Sequence, residues 1–464
     1  MRLHNTLTRQ TETLHPLSDK TVKIYTCGLT VYSQPHIGNW VGYLYWDVLV
    51  RALRSAGYEV ERTQNYTDVG HLVSDDDSGE DKMEKGARAE GKTAWDIAEK
   101  YIAVAEYEGY ELLGLTRPDH LIRATEYIQQ QIDFAKILED KGFTYIIPGE
   151  GLYFDTSKVT DYGKLAQLDV AGLEAGARVP IEGKRNITDF AIWKFSPKDQ
   201  KRNMEWDSPW GVGFPGWHLE CSVIARETLG DQIDIHTGGI DHIPVHHTNE
   251  IAQTEAVTDK PFSQFWVHNN HLKADGQKMS KSVGNIYTLQ DIIDKGYSLD
   301  AFKVMVFSKH YSSEGNFTWE NLEATQNRLK HWREAMATRW QTDRLQKADK
   351  DIHTADFSQQ LATALADNLD TPKALQLLDE VADAALAGGV CGDCLESIAS
   401  EVTAVLNLNL AVMDIAPEQK QLLAEREQAR GQNDWAKSDM LRDELASQKI
   451  GLRDTPQGAI WYPL

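Results

Sequence analysis

The segment that most constrains the fold lies near the start of the chain, where a strand, a short polar sequence and a long helix follow directly on one another. Residues 22–25 form an apolar run that predicts a buried strand. Apolar residues recur at helical spacing through residues 37–56, and Gly57 follows where a left-handed C-cap would lie. Residues 59–64 predict the next strand. We therefore expect a strand–helix–strand unit, which binds ligands at the carboxyl ends of its strands.

The start of that helix is a candidate phosphate site. It carries His36-Ile-Gly-Asn39, and the first turn of a helix offers free N–H groups and a positive dipole end to an anion. Gly38 lets a nucleotide approach the backbone closely, and His36 can donate a hydrogen bond to a phosphate oxygen. Ordinary helix capping explains the same tetrapeptide, so alone it does not establish a nucleotide site.

A second phosphate candidate follows much later in the chain. Lys278-Met-Ser-Lys-Ser282, called the lysine loop below, lies between Gly276 and Gly284. A loop of this composition suits a mobile clamp on a polyphosphate, with the ammonium groups of Lys278 and Lys281 placed against negative charge that develops in a transition state. A solvated loop is the alternative. In this order, the two sequences resemble the signature of the class I aminoacyl-tRNA synthetases.

Three distant segments carry residue types that bind metal ions. Cys27 lies beside the nucleotide motif, Cys221 closes a second motif, and His246 and Glu250 stand four residues apart at a predicted helix start. Residues i and i+4 share one helical face, so His246 and Glu250 can reach one ion together, whereas His247 is predicted to point elsewhere. Two thiolates, an imidazole and a carboxylate suit zinc. The alternative is two buried cysteines and a surface His/Glu pair, because nothing local shows that the two cysteines meet.

The remaining cysteines form the more obvious metal or redox motif by pattern alone, Cys391-Gly-Asp-Cys394. This motif follows a Gly-Gly break in a predicted helical bundle, and it lacks a second cysteine pair or a strand–helix context. We therefore assign it no function from the sequence.

The composition limits the classes of protein to which the chain can belong. A length of 464 residues allows roughly two to four domains. We expect no secretory signal or membrane span, since no run approaches the ~18 apolar residues that cross a bilayer. Four cysteines in so long a chain favour a cytoplasmic protein over a disulfide framework. The net charge of −22, partly concentrated in the acidic run at residues 74–81, disfavours nonspecific nucleic-acid binding, so an RNA partner would be recognised by shape and bases.

Longer motifs narrow the resemblance to the cysteinyl-tRNA synthetase family, over nearly the whole chain. They are Cys27-Gly-Leu-Thr-Val-Tyr32, Ser208-Pro-Trp-Gly211, Pro215-Gly-Trp-His-Leu-Glu-Cys221, His236-Thr-Gly-Gly-Ile-Asp241, Pro244-Val-His-His-Thr-Asn-Glu250 and residues 435–445. The resemblance implies that Cys27, Cys221, His246 and Glu250 bind zinc. This chain departs from the family where extra acidic residues follow Thr67 and where Trp40 and Val41 replace a common Ala-Arg.

The resemblance also implies an ATP site and a cysteine pocket. The implied ATP-binding residues are His36, Gly38, Asn39, Gly238, Gly239, Asp241 and Lys281, and the implied catalytic residues are His36, Asn39, Lys278 and Lys281. Thr67 and Trp217 are the implied substrate-binding residues, although core packing explains a lone tryptophan equally well.

The implied activity is cysteine–tRNA ligation. L-cysteine is activated with ATP to cysteinyl-adenylate, pyrophosphate is released, and the cysteine is transferred to tRNA(Cys). The resemblance implies one zinc ion per subunit, Mg²⁺ with ATP, no membrane partner and a monomer. Zinc binds the substrate sulfur as a thiolate. The hydroxyl of serine resists ionisation and the side chain of alanine has no ligand atom, so zinc discriminates against both and no editing domain is expected.

The implied fold is α/β: a Rossmann-like parallel-sheet catalytic domain with an inserted subdomain, then a helical-bundle anticodon-binding region and a small C-terminal domain. The predicted segments are the first catalytic half at 1–124, a connective insertion at 125–205, the second catalytic half with the zinc site and the lysine loop at 206–288, a stem-contact adaptor at 289–345, a helical bundle at 346–416 and an anticodon-recognition domain at 417–464. Helices are also predicted at about 92–113 and 122–141, and one helix with a turn-rich end after residue 417.

Anticodon bases would stack on Trp461 and Tyr462, with Arg453 nearby. A terminal aromatic docked on the bundle is the alternative. Two other functions compete with the ligase. One is a small-molecule cysteine ligase, which shares the catalytic core but lacks the C-terminal segment. The other is a catalytically inactive relative that serves as a zinc-stabilised binding module, and the intact lysine loop with His36 argues against it.

Overall fold

The structure, a computed structural model, describes residues 1–69, 82–168, 183–197, 202–280, 283–341, 354–455 and 458–464. Lys281 and the acidic run at 74–81 lie outside these described residues. The chain divides into two compact units: the first holds residues 1–289 and 311–315, and the second holds residues 290–310 and 316–464. Within the described ranges, no helix combines the length and the apolar character needed to cross a membrane.

The strands are numbered along the chain. They are β1 (Arg2–Asn5), β2 (Gln10–Thr13), β3 (Thr21–Thr26), β4 (Glu59–Tyr66), β5 (His120–Arg123), β6 (Thr144–Ile147), β7 (Gly151–Phe154), β8 (Phe190–Phe195), β9 (Gly213–Pro215), β10 (Ile233–Gly239), β11 (Ser263–Asn269), β12 (Leu272–Ala274), β13 (Gly315–Phe317), β14 (Ile450–Thr455) and β15 (Gly458–Pro463).

The α-helices are numbered in the same way. They are α1 (Ile37–Ser55), α2 (Lys82–Glu90), α3 (Ala94–Glu106), α4 (Ile128–Asp140), α5 (Trp217–Leu229), α6 (His246–Thr258), α7 (Leu289–Asp294), α8 (Leu299–Phe307), α9 (Trp319–Ala337), α10 (Thr354–Ala366), α11 (Thr371–Leu386), α12 (Gly392–Leu406), α13 (Pro417–Gly431) and α14 (Trp435–Ser447). A π-helix, Tyr107–Leu112, continues α3.

Five parallel strands form the central sheet of the first unit, in the order β11–β10–β3–β4–β5. The chain leaves β3 through α1 to reach β4 on one side, and it leaves β10 through α6 to reach β11 on the other. The strand order therefore reverses between β3 and β10. In open parallel sheets, ligands bind in the crevice at the carboxyl ends of the strands at such a point.

The first predicted unit is confirmed. α1 runs from Ile37 to Ser55 and buries Leu44, Val48 and Ala52, the residues that recur at helical spacing. Gly57 follows with φ of 87°, a left-handed conformation that glycine adopts without strain from a Cβ. β3 and β4 flank α1 as expected and pair in parallel.

An antiparallel sheet, β6–β7–β8–β9, forms within the stretch predicted as an insertion. Phe154 and Phe190 stack at 5.0 Å between ring centroids, and Trp193 is fully buried. These side chains share a core with α4, α5 and α6, so the sheet supports the helices that carry the candidate metal ligands. The boundaries 125–205 stay a prediction.

Two helix predictions need correction. Residues 92–113 are not one α-helix, because α3 ends at Glu106 and the chain continues as the π-helix. Residues 122–141 do not begin as a helix, because β5 pairs with β4 as the edge strand of the central sheet and a short 3₁₀ turn separates it from α4. The sequence of β5, His-Leu-Ile-Arg, has no strong periodicity, so pairing with β4 decides its conformation.

The described residues of the second unit are mainly helical up to residue 447, and β14 and β15 follow as a hairpin. Its predicted break is confirmed, since α11 ends at Leu386 and α12 begins at Gly392. The end of the chain was predicted as one helix and a turn-rich tail, which is wrong. Two helices, α13 and α14, pack together there, and β14 pairs with β15. Asn433, at φ of 61°, reverses the chain in the short connection between the helices.

Candidate metal and nucleotide site

Three parts of the chain converge at the carboxyl ends of β3 and β10. Cys27 directly follows β3, and its N–H donates to the carbonyl of Thr237 in β10 at 3.2 Å. Cys221 lies one turn into α5, while His246 and Glu250 lie in the first turns of α6. One ligand atom from each of these four residues lies within 4.8 Å of the others, and all four residues are buried. The structure thus brings the predicted metal ligands together.

The distances fit a metal ion of the size of zinc. The Cys27 sulfur lies 3.9 Å from the Cys221 sulfur and 3.9 Å from Glu250 Oε1. His246 Nε2 lies 2.9 Å from the same carboxylate oxygen. Tetrahedral zinc, with bonds of about 2.0–2.3 Å, holds its ligand atoms roughly 3.3–3.8 Å apart. Small side-chain adjustments therefore suffice to bring these donors around one ion, and their sulfur, nitrogen and oxygen types suit zinc.

The prediction that His247 points away from this cluster is wrong. Its Nε2 lies 3.3 Å from the Cys27 sulfur, and Cys27, His236, His247 and Glu250 form a second group able to hold a metal ion. The i, i+4 argument assumed a helix with one buried face. The first turn of α6 is buried on all sides, so neighbouring residues on it face the same crevice.

A chain of imidazoles surrounds the candidate ligands. His236 Nε2 lies 2.8 Å from Glu250 Oε2, and His218 Nδ1 lies 3.0 Å from His246 Nδ1. His247 Nδ1 lies 2.8 Å from His268 Nε2. Hydrogen bonds of this kind fix the tautomer and orientation of ligand side chains. Sequence reasoning did not identify His218, His236 or His268, although the first two lie within the motifs that carry Cys221 and Gly238.

Burial and neighbouring charges set the ionisation of this cluster. Burial raises the pKa of Glu250, but the imidazoles of His236 and His246 outweigh this effect and hold the pKa below its usual range. Burial lowers the pKa of His246, but Glu250 and the Cys221 thiolate raise it to about 10. The cluster therefore already holds a carboxylate in its charged form. A divalent cation that displaces the proton of His246 would find negative donors in place.

The two thiols differ in ionisation. Burial disfavours the thiolate of both residues, and the pKa of Cys27 is raised well above its usual value. For Cys221, a hydrogen bond from Cys27 and the charge of His246 outweigh burial and lower the pKa. Ionisation is therefore favoured at Cys221 over Cys27.

Thr67 lies beside a buried carboxyl group that the sequence did not single out. Its hydroxyl donates to Glu220 Oε2 at 2.9 Å and accepts from Asn65 Nδ2 at 3.1 Å. Burial and the neighbouring Cys221 raise the pKa of Glu220 well above its usual value. Its other oxygen, Oε1, is buried without a hydrogen-bond partner. The sequence feature that could have identified Glu220 is its position immediately before Cys221 in the family motif.

Trp217 covers the cluster rather than packing in a distant core. Its ring stacks on the ring of His246, with centroids 4.3 Å apart, and the side chain is only partly buried. Because Trp217 opens α5 and Cys221 follows one turn later, the indole lies next to the candidate metal ligands. At this position, the indole of Trp217 is suited to form one wall of a pocket beside the candidate metal ligands.

The phosphate candidate at the start of α1 is formed as the sequence predicts. His36 is the N-cap residue, and its N–H donates to Asn39 Oδ1 at 2.9 Å. His36 Nδ1 is buried without a hydrogen-bond partner, and burial lowers the pKa of this residue. A neutral imidazole at a helix N-terminus can donate a hydrogen bond to a phosphate oxygen.

The lysine loop approaches the same helix start. A side-chain carbon placed on Gly38 would lie 2.4 Å from Cε of Met279, and the N–H of Ile37 donates to the carbonyl of Tyr287 at 2.8 Å. Asn285 holds the loop by bonding to the backbone of Ser280 at 2.9 Å. Lys278 is exposed. The two predicted phosphate motifs are therefore neighbours, although Lys281 lies outside the described residues.

The other predicted ATP-binding residues lie at the end of β10. A Cβ on Gly238 would lie 2.6 Å from His247 Cε1, whereas a Cβ on Gly239 would meet no atom within 4 Å. Gly238 is thus required by packing against α6, while Gly239 leaves open space. Asp241 is exposed, and its Oδ2 lies 2.9 Å from His271 Nε2.

A buried carboxylate holds the first turn of α1. Glu108, on the π-helix, accepts from Trp40 Nε1 at 2.9 Å and from Gln34 Nε2 at 3.2 Å. A Cβ on Gly109 would lie 3.2 Å from the ring of Trp40. Sequence reasoning did not identify Glu108, because no motif marks it and only the fold brings it to the helix start. Trp40, a departure from the family pattern, therefore has a defined partner.

Comparisons with known proteins identify the family of the chain. The family model of the class I (C) tRNA synthetase catalytic domain matches residues 13–327, and that of the cysteinyl-tRNA ligase anticodon binding domain matches residues 413–461. Cysteine–tRNA ligase 1 of Burkholderia lata is 42% identical, with 99% of this chain and 96% of that protein covered. The cysteine–tRNA ligase of Novosphingobium aromaticivorans is also 42% identical, with coverage of 99% and 97%.

Solved structures share the fold at low sequence identity. The methionyl-tRNA synthetase of Mycobacterium tuberculosis in complex with methionyl-adenylate superposes with a TM-score of 0.60 at 15% identity, over 84% of this chain and 92% of that one. A leucyl-tRNA synthetase from Agrobacterium radiobacter, in a ternary complex, gives a TM-score of 0.61 at 11% identity, over 86% and 85%. With the full-length relatives and the catalytic-domain match, these findings show that the chain belongs to the cysteinyl-tRNA synthetase family of class I aminoacyl-tRNA synthetases.

Proposed function

We infer that the protein is a cysteine–tRNA ligase, which activates L-cysteine with ATP and transfers it to tRNA(Cys). The observation that carries this conclusion is the buried cluster of two thiols, an imidazole and a carboxylate at the carboxyl end of the sheet. It lies in the same unit as the phosphate motif at the start of α1. Activation needs both a pocket for a thiol and a site for a nucleotide, and this unit contains a candidate for each.

We propose that Cys27, Cys221, His246 and Glu250 hold one zinc ion. The donor types fit zinc, and their ligand atoms lie within 4.8 Å of one another. Bound there, zinc would supply a soft Lewis acid that binds the sulfur of cysteine as a thiolate. The second group uses His236 and His247 in place of Cys221 and His246. The first group is favoured because it contains two sulfur donors and because the family resemblance implies it.

The chain's own residues select and hold the amino acid in this proposal. Trp217 covers the cluster on one side and excludes water, and Thr67 donates to Glu220 beside Cys221. A purely apolar pocket separates side chains that differ by one small group only about 10- to 200-fold. A pocket that binds sulfur directly rejects serine and alanine more strongly, so no second, hydrolytic site is needed.

The nucleotide would bind between the start of α1 and the end of β10. His36, Gly38 and Asn39 would contact the phosphates of ATP, which carries Mg²⁺, and Gly238, Gly239 and Asp241 would lie by the nucleoside. The open space beside Gly239 supports the second part. In-line attack of the cysteine carboxylate on the α-phosphorus needs mainly positioning and charge stabilisation. His36, Lys278 and Lys281 would supply the positive and donor groups.

The lysine loop gives a sharp test of this assignment. Lys281→Ala should cut cysteine-dependent ATP–pyrophosphate exchange by about 100-fold or more, because one preorganised donor to the transition state is lost. Cysteine affinity should change little, since the candidate sulfur site is elsewhere. Lys260→Ala is the matched control, because this surface ammonium pairs with Asp231. Exchange close to the wild-type rate in Lys281→Ala would remove the loop from catalysis.

The substrate assignment is tested by charging unfractionated tRNA with each amino acid in turn. Charging with cysteine alone is expected. Cysteine-dependent exchange without any tRNA charging would favour the small-molecule cysteine ligase instead, although the match to an anticodon binding domain at residues 413–461 argues against it. No exchange with any amino acid would favour the inactive binding module. The monomeric state, the cytoplasmic localisation and the six segment boundaries stay predictions of the sequence.

A further inference from the structure

The pair Cys391 and Cys394 takes no part in the ligase reaction proposed above. Both residues belong to the second unit, at the start of α12. Cys391 is the N-cap residue, Cys394 lies in the first turn, and a disulfide joins their sulfurs with Cα atoms 5.1 Å apart. This separation lies within the range usual for disulfides, so the backbone accommodates the bond without a large movement.

Packing fixes the start of α12 whether or not that bond is present. Leu395, Ile398 and Val402 are buried on the inner face of the helix. At its first residue, a Cβ on Gly392 would lie 2.9 Å from the carbonyl oxygen of Arg339, so the helix start packs against the 3₁₀ turn that follows α9. The two sulfurs therefore stay within reach of each other after reduction, because the helix does not depend on the disulfide for its position.

The two sulfurs differ in ways that assign them different roles. Cys391 is exposed, whereas Cys394 is partly buried. The N–H of Cys394 donates to the sulfur of Cys391 at 3.1 Å. A free backbone donor and the positive end of a helix both favour a thiolate over a thiol. Cys391 therefore has the access of an attacking residue and a backbone donor beside its sulfur, and Cys394 is placed to react with it afterwards.

We propose that Cys391 and Cys394 form a thiol–disulfide exchange site whose substrates are small-molecule disulfides such as oxidised glutathione. The Cys391 thiolate attacks one sulfur of the small disulfide, releases the other half as a thiolate and forms a mixed disulfide. The Cys394 thiolate then attacks the Cys391 sulfur and expels the second half as a thiolate. The protein loses two protons and two electrons in total, and one small disulfide becomes two small thiols. The reverse steps reduce the pair again.

The other two cysteines do not compete in this exchange. Cys27 is 7% exposed and Cys221 is 2% exposed, so a glutathione-sized disulfide cannot approach either sulfur in the folded protein. The chain thus keeps a reactive pair in one unit and a protected pair in the other. The exchange site is independent of cysteine activation, and its test needs no aminoacylation.

The test uses the folded full-length protein, its Cys394→Ser variant and, as the matched control, its Cys391→Ser variant. After reduction, each is incubated with oxidised glutathione, and the products are identified by mass spectrometry of the intact and digested protein. The wild type should lose two hydrogens on the peptide that holds both residues and regain them with reduced glutathione. Cys394→Ser should stop at one glutathionyl group on Cys391, and Cys391→Ser should react at least about tenfold more slowly.

Three results would overturn the proposal. The first is a wild-type protein that loses no hydrogens at this peptide across glutathione buffers from fully reduced to fully oxidised. The second is equal trapping of glutathione by the two variants, which would remove the assigned roles. The third is oxidation at Cys27 or Cys221 instead. Thermal melting followed by circular dichroism must match between the variants and the wild type, so that reactivity reports on the folded bundle.

Discussion

Each candidate metal ligand lies directly after a strand or within the first five residues of a helix. Cys27 follows β3 without an intervening residue, and His246 is the first residue of α6. Cysteine and histidine have few rotamers, and the longer side chain of Glu250 is held by His236 and His246, so the donors lie close to their binding geometry before an ion arrives. Removing one of them should therefore leave a gap that its neighbours fill poorly.

The zinc assignment leads to a prediction for single substitutions. Cys221→Ala and Glu250→Ala should each lose stoichiometric zinc and bind cysteine more weakly, because each removes one of four donors. The double variant Cys391→Ala, Cys394→Ala is the control and should keep its zinc. Elemental analysis of the purified proteins measures this. Zinc that leaves with the control pair would refute the ligand set.

The same measurement separates the two donor groups. His246→Ala should lose zinc if the first group holds the ion, whereas His247→Ala should then retain most of it. The opposite outcome would assign the ion to Cys27, His236, His247 and Glu250.

The pKa of Asp68 predicts that the stability of the protein depends on pH. Burial outweighs its hydrogen bonds from Thr125 and raises its pKa to about 6, above the ordinary value of 3.8. The folded state therefore keeps a proton that the unfolded state releases, and this contribution to the free energy of unfolding is full below about pH 4 and lost as the pH rises through about 6. Asp68→Asn should remove that loss, which is about 3 kcal/mol for a shift of this size.

Denaturant unfolding of wild type and Asp68→Asn across this range tests the point. The difference in stability should grow in favour of the variant as the pH rises. Asp133→Asn, at an exposed carboxylate on α4, is the control and should show no such trend. A constant difference between wild type and Asp68→Asn would contradict the assigned cause.

At the scale of elements, the periodicity of the sequence predicted those helices and strands whose conformation is determined by a local pattern. α1 has a clear apolar face, a recognisable N-terminal motif and a glycine after its end, and both of its ends lie within one or two residues of the prediction. β5 is short, and its conformation depends on pairing with β4. The two strands of the C-terminal hairpin, β14 and β15, are also short and depend on pairing with each other. Distant pairing leaves no mark in a short sequence window, so these elements could not be assigned from sequence alone.

The residues of the candidate site also divide into those that the sequence predicted and those that it did not. Its four metal donors and the α1 motif were predicted, because their residue types and the family motifs mark them. His247 was misassigned, since the burial of the whole first turn of α6 is a property of the packed sheet and helices. Glu108 and Glu220 were missed for the same reason. Their importance lies in partners that are far away in sequence.

The C-terminal elements change which aromatic residue we propose for stacking on an RNA base. Trp461 is 4% exposed, so it is docked on the second unit, whereas Trp435 is 56% exposed at the start of α14. The guanidinium of Arg430 lies 5.8 Å from the centre of the Trp435 ring. An exposed indole beside an arginine can stack on an unpaired base. We therefore propose Trp435, in place of Trp461, as the residue that stacks on a base.

Paired substitutions test this revision. Trp435→Ala should lower kcat/KM for tRNA by an amount equivalent to about 1–3 kcal/mol, without loss of stability. Trp461→Ala should instead destabilise the protein, by about 3–5 kcal/mol for a buried tryptophan. Aminoacylation kinetics and thermal melting measure the two effects. If Trp461→Ala melted like the wild type and charged tRNA poorly, the original assignment would be restored.

At the scale of the whole molecule, the two compact units divide the work. Every described candidate for zinc and ATP binding lies in the first unit, and the matched anticodon binding domain lies in the second. We therefore expect the first unit to activate cysteine without the end of the chain, and the charging of tRNA to require both units.

A chain that ends before Pro417 should keep cysteine-dependent pyrophosphate exchange and lose most tRNA charging, because the lost segment would supply the base contacts. The Gln341 side chain bonds to the backbone of Trp461 at 3.2 Å, so truncation uncovers part of the second unit. Circular dichroism and melting must first show a folded product. A folded product that charges tRNA at the full-length rate would remove this segment from recognition and favour the small-molecule ligase again.

The position of β3 in the middle of the sheet has a consequence for the synthesis of the protein. β3 is made early, but its neighbour β10 and the partners of Cys27 are made late, since Cys27 and Cys221 are 194 residues apart. At about 5–20 residues per second, a ribosome needs roughly 10–40 seconds to cover that interval. During this time β4 is available to pair with β3, but the Cys27 thiol lacks β10, Cys221 and Glu250, which enclose it in the folded protein. Oxidants and stray metal ions reach this sulfur more easily on the nascent chain than at any later time, and slower translation of the intervening segment prolongs that exposure.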